Sequence, residues 1–146
     1  MESKFSLSYP DTLLRAAVFI DAEANTILRA AGITITFTQY RILRHIASGT
    51  TMPTVLAHLL AVSHPAMSRH LKNLEASKLI KSSIHTDSRR EHHITLTLKG
   101  TKLCKDAEQT LAKGLKITLA DISPSARTSV LTTLEKTIIA CAHVAE

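Results

Sequence analysis

Apolar residues recur at three- and four-residue steps along most of this chain and at two-residue steps in one short region, which predicts a mainly helical protein with a single hairpin. The first helical stretch opens at Pro10 and runs through Leu13, Leu14, Ala17, Val18, Ile20, Ala24, Ile27, Leu28 and Ala31, then stops at Gly32. It spans about five turns. Thr38 is placed to cap a second helix over residues 39–48, which sets Tyr40, Leu43, Ile46 and Ala47 on one face and Gly49 beyond its end. Thr51 is placed to cap a short third helix, with Pro53 in its first turn and Val55, Leu56, Leu59 and Leu60 as its stripe. Ser63 caps a fourth. His64 and Pro65 fall in its first turn, Met67, Leu71 and Leu74 share its apolar face, and Ser68, Arg69, Lys72, Asn73 and Glu75 take polar positions.

Two helices joined by Ala61-Val62-Ser63 read as a helix-turn-helix. Residues 79–85 and 91–98 are strand-like and rich in β-branched side chains, with Thr86-Asp87-Ser88-Arg89-Arg90 turning between them. A basic-tipped hairpin behind a helix-turn-helix is a winged helix. Two further helices close the chain. One covers residues 101–120, with Leu103, Cys104, Ala107, Leu111, Leu115 and Leu119 on one face; the other is launched by Ser123-Pro124 and carries Val130, Leu131, Leu134, Ile138 and Cys141. The terminal helices hold more apolar surface than a small winged-helix core can cover, so the economical arrangement is a homodimer in which two copies bury each other's helices. The expected fold is therefore mainly α with a small β-hairpin wing, a single domain over residues 1–146. Residues 34–100 would form the winged helix, and 1–33 and 101–146 the dimerisation helices.

No segment reaches the roughly 18 to 20 apolar residues of a membrane span, and MESKFSLSYPD lacks a basic segment followed by an apolar run. The cytoplasm is the expected location, and Cys104 and Cys141 are expected as free thiols there. The net charge of +6 is concentrated: residues 61–105 hold nine Lys and Arg against three Asp and Glu, and the rest of the chain sums to zero. A neutral frame with one basic module suits a double-stranded DNA partner, because phosphate neutralisation supplies most sequence-independent affinity. A solvated basic face without a partner has the same count. The chain carries no G-x-S-x-G, phosphate loop or H-E-x-x-H, so it is not expected to be an enzyme. His92 and His93 are adjacent on a strand and point to opposite faces, and no H-x3-H or C-x2-C pair sits beside carboxylates, so neither a metal nor a cofactor is expected.

The stretch Val62-Ser63-His64-Pro65-Ala66-Met67-Ser68-Arg69-His70-Leu71-Lys72-Asn73-Leu74-Glu75, followed by Leu79-Ile80, Asp87-Ser88-Arg89 and Leu96-Thr97-Leu98-Lys99-Gly100, resembles the MarR family of winged-helix transcription regulators. It reproduces that family's recognition-helix pattern, its wing D-x-R and its L-T-x-x-G in order. The flanking helices match by length, position and the Ile122-Ser123-Pro124 opening of the last one. Ala61 departs from the pattern, standing where a glycine is common in the turn, as do Pro53 inside its helix and a short wing. The resemblance implies a homodimeric, sequence-specific regulator of transcription, read as a repressor, on a pseudopalindromic duplex site.

In such a motif the first half of the second helix enters the major groove. Here it offers Ser63, His64, Ala66, Ser68, Arg69 and His70 and, one turn on, Lys72. Arg69 is the candidate for a bidentate guanine contact, with an ordinary solvated charge as the plain alternative. Ser63 and Ser68 suit phosphates, Ala66 a thymine methyl, and Met67 the core. Arg89 and Arg90 suit the minor groove. Asp87 orients the wing by resemblance, although an ordinary turn residue explains it almost as well. Members of the family commonly bind small anionic or phenolic ligands between the dimer helices and the winged helix, which implies a small-molecule effector near Tyr40, Arg41 and the first helix. Cys104 lies between Lys102 and Lys105, which would lower its pKa and admit a redox-responsive variant; Cys141 is expected in the core. The alternatives are a metal-responsive variant and an architectural winged helix that coats DNA without sequence preference.

Overall fold

In the computed structural model, which describes residues 2–84 and 92–142, four successive helices end in the same way. They are α1 (Glu2–Ala30), α2 (Phe37–Ala47), α3 (Pro53–Leu59) and α4 (His64–Ala76). After them come β1 (Ile80–Ile84), β2 (His92–Leu96), α5 (Leu98–Thr118) and α6 (Pro124–Ala142). Beyond each of the first four helices the chain donates back into the last turn. Ile33 N reaches Leu28 O at 2.9 Å, Thr50 N reaches His45 O at 3.0 Å, Val62 N reaches Ala57 O at 3.0 Å and Leu79 N reaches Leu74 O at 2.9 Å. This closure places the preceding residue at positive φ, and those residues are Gly32 (72°), Gly49 (98°), Ala61 (51°) and Lys78 (58°). The turn of the helix-turn-helix thus keeps a glycine geometry with an alanine in it. An L side chain in that conformation costs about 1–2 kcal/mol. Ala61→Gly and Lys78→Gly are each expected to raise stability by about 0.5–1 kcal/mol, the greater freedom of glycine in the unfolded chain offsetting part of the relief. A higher urea midpoint at unchanged slope is the readout.

Several boundaries differ from those the sequence predicts. α1 runs through Pro10, which lies inside the helix and not at its start. Proline's fixed φ is itself helical, so the chain loses one amide donor and crowds one carbonyl without having to stop. The cap of α2 is Thr36, not Thr38. Its hydroxyl accepts from Gln39 N at 3.2 Å while Gln39 Oε1 accepts from Thr36 N at 2.9 Å, a reciprocal capping box. α3 starts after Met52 without a side-chain cap. Thr51 is occupied elsewhere: its carbonyl accepts from Ile94 N at 3.0 Å and its hydroxyl bonds His93 Nδ1 at 3.0 Å, tying this segment to β2. α5 begins at Leu98, where the strand pattern had seemed to continue, because Thr97 leaves the ladder to cap the helix.

The chain forms two compact units, Met1–Ala112 and Lys113–Glu146. The core of the first contains Leu28, Ile42, Leu43, Leu56, Met67, Leu74 and Ile94, all fully buried. β1 and β2 pair antiparallel from Ile80↔Leu96 to Ile84↔His92, with Ile80 and Ile94 turned inward. Leu14, Val18 and Phe19 of α1 stay about two-thirds exposed. In the second unit Ser123 caps α6, accepting from Ala126 N at 3.2 Å, and Arg127 Nε donates to Ile122 O at 2.8 Å. No residue of α6 is buried; Val130, Leu131, Ile138 and Ile139 are exposed, and so is Cys141, which the sequence reading had assigned to the core. Thr128, Thr132, Thr133 and Thr137 each donate their hydroxyls to the carbonyl four residues back, so these threonines leave α6 a less polar surface than their composition suggests.

Candidate nucleic-acid interface

Ser63 sets the start of α4, its hydroxyl accepting from Ala66 N at 3.4 Å. Met67 and Leu74 are buried and anchor the helix. With those two fixed inward at helical spacing, the opposite face carries Ser63, His64, Ser68, Arg69 and Lys72, all exposed. Ala66 and His70 sit half-buried at its flanks. The structure therefore gathers five of the seven candidates from this segment on one open surface, with the other two at its edge. Among the described residues neither Arg69 nor Lys72 has a hydrogen-bond or ion-pair partner, so both heads are free to meet an external acceptor. Asp87, Arg89 and Arg90 lie outside the described residues.

What fixes α4 against the hairpin was not assigned a role from the sequence. Thr97 N donates to Leu79 O at 3.0 Å, and the Thr97 hydroxyl reaches Lys78 O at 2.8 Å and Leu79 O at 3.2 Å while accepting from Gly100 N at 3.0 Å. Lys99 Nζ donates to Ser77 O at 2.9 Å, satisfying the C-terminal end of α4. Ser82 N donates to Glu75 Oε1 at 3.3 Å and joins α4 to β1. Gly100 is buried against the Leu79 backbone, and a Cβ built there would fall 1.9 Å from Leu79 O. L-T-x-x-G is thus a buckle between α4, the hairpin base and α5. A helix-capping Thr followed three residues later by Gly was the legible signal for it.

Cys104 is buried, and burial together with the Glu108 carboxylate pushes its thiol above the ordinary value, Arg44 opposing them. The neighbouring lysines do not set its chemistry, and a raised thiol is the reverse of a reactive thiolate. Burial likewise pushes the Tyr40 phenol up, with Glu108 and Cys104 adding to the effect and Arg44 opposing. Among the described residues no three His, Cys, Asp or Glu side chains are grouped to hold a metal, and no helix is long and apolar enough to cross a membrane.

Residues 32–91, which run from the end of α1 into the start of β2, match the sequence model of the MarR family. Residues 32–91 are a MarR-family region. No curated protein matches the chain. Its architecture is shared with solved structures over nearly the whole length. A cysteine-to-serine variant of MarR from E. coli complexed with operator DNA superposes with a TM-score of 0.80 at 18% identity, over 90% of this chain and 94% of that one. The transcriptional regulator BldR from Sulfolobus solfataricus gives 0.85 at 20% identity, over 94% and 97%. A DNA complex of MepR from S. aureus gives 0.74 at 21%, over 92% and 97%. At these identities the likeness establishes the fold, a winged helix with MarR-type flanking helices.

Proposed function

We propose that this MarR-family chain is a transcriptional regulator, a repressor acting by occupancy, that works in the cytoplasm as a homodimer on a pseudopalindromic site in double-stranded DNA and is released by a small-molecule effector. The observation that carries this reading is the outer face of α4, where a free Arg69 and Lys72 stand one turn apart on a helix pinned from behind by Met67 and Leu74. Arg69 reads guanine, Ser63, Ser68 and Lys72 hold phosphates, and His64, Ala66 and His70 complete the surface that enters the major groove. Arg89 and Arg90 follow the minor groove, with Asp87 orienting the wing. The E. coli and S. aureus fold neighbours were solved with DNA, which makes a duplex the first ligand to try. The apolar side chains exposed on α1 and α6 support the dimer, since each large one that is covered contributes about 1.5–3 kcal/mol.

A duplex titration across salt concentrations tests the reading. If each protomer neutralises about four phosphates, the dimer's log–log slope is about −7. A slope shallower than about −2 would show that the basic module does not engage the backbone and would remove the DNA reading.

A further inference from the structure

Within the first unit a cleft of about 480 Å³ opens between the segment preceding α2, the end of α4 and the start of α5. Neither α1, Tyr40 nor Arg41 lines it, so it lies apart from the pocket that the family resemblance implies. Ile35, Leu74 and Leu103 form an aliphatic wall with no aromatic ring, and Lys99, Lys102 and Asp106 line the same space. Two ammonium groups against one carboxylate leave one positive charge in excess. Lys102 has no partner among the described residues, although Asp106 is one turn away. Lys99 is engaged, but by the neutral carbonyl of Ser77, the C-cap of α4.

We propose that this cleft binds an aliphatic monocarboxylate, with Lys102 as its counter-ion and its chain against Ile35, Leu74 and Leu103, and that the bound carboxylate draws Lys99 away from Ser77 O. A carboxylate outcompetes a neutral carbonyl for an ammonium because the charge-assisted bond is roughly twice as strong. Losing Lys99 leaves the end of α4 unbraced next to Lys78, which already holds a positive φ of 58°. Occupancy therefore loosens the helix that faces DNA. The binding half of the proposal stands by itself; the regulatory half rests on the DNA reading above and supplies the effector class for it.

The test uses the full chain, with octanoate as probe and octanamide as its uncharged counterpart, followed by ¹H–¹⁵N NMR. Octanoate is expected to shift the amides around Ile35, Leu74, Lys99, Lys102 and Leu103 in a saturable manner, octanamide to bind at least tenfold more weakly, and Lys102→Gln to weaken octanoate at least tenfold with the thermal midpoint unchanged. Equal binding of acid and amide, an unaffected Lys102→Gln, or no saturable shift at these residues overturns the site. A duplex competition follows. Octanoate should weaken duplex binding by the wild-type protein, and Lys99→Gln should bind duplex more weakly from the outset with little further response. Octanoate that fills the cleft without changing duplex affinity overturns the brace mechanism. A wild-type protein that binds no duplex overturns the DNA reading and the regulatory half with it, while the NMR result still decides the site.

Discussion

Gly100→Ala is expected to destabilise the protein by about 3 kcal/mol, at the upper end of the cost of overfilling a packed interior. The reason is the identity of the neighbour. The added methyl would lie 1.9 Å from Leu79 O and 2.9 Å from Leu79 C, and those are backbone atoms held by Thr97 N and the Thr97 hydroxyl. A flexible side chain could swing away; this carbonyl can move only if α5, the hairpin base or the end of α4 moves with it. Gly32 and Gly49 make the useful comparison, since a Cβ at either meets nothing within 4 Å and only the positive φ is strained. Their alanine variants should lose about 1–2 kcal/mol at most. Urea unfolding of the three variants separates the cases. A loss below about 1 kcal/mol at Gly100 would mean that α5 tilts freely away from the hairpin, contrary to the buckle described here.

Arg69→Ala is expected to weaken binding to the preferred duplex by about 5- to 150-fold, the equivalent of one bidentate base contact of about 1–3 kcal/mol, and to change binding to random duplex far less. Arg69 is exposed, unpaired among the described residues, and one turn from Lys72 on the face opposite Met67, so its removal alters a contact without disturbing the fold. Lys72→Ala, as a phosphate contact, should instead weaken both duplexes alike and reduce the salt slope by about one. Fluorescence anisotropy on the two duplexes distinguishes them. Equal losses on both for Arg69→Ala would make that side chain a backbone contact.

Much of this was legible in the sequence, and the exceptions share a cause. Ser63 was recognisable as the cap of α4, and Met67 and Leu74 as its buried side, because a capping hydroxyl and a helical apolar period are local signals. Thr36 and Thr38 compete for the same helix, and the choice falls to the one with Gln39 three residues on. Thr51 looked like a cap but serves β2, 42 positions away, which no local pattern announces. Pro10 looked like a start because proline favours first turns, yet its φ also suits the interior. Lys102 and Lys105 flank Cys104 in sequence, but on a helix neighbours point apart, and the thiol meets Glu108 and the core. The five outward residues of α4 were likewise readable from its period, whereas the buckle around Gly100 depends on the approach of Leu79 and became visible only in three dimensions.

Selection of binding sites from a pool of random duplexes, using the full chain, tests the central claim most directly. A sequence-reading dimer should enrich a pseudopalindrome whose half-sites lie about one helical turn apart, with Arg69→Ala relaxing the choice at a guanine in each half. Recovery of no preferred sequence, with continuous protection along any duplex, would contradict it and leave a winged helix that coats DNA.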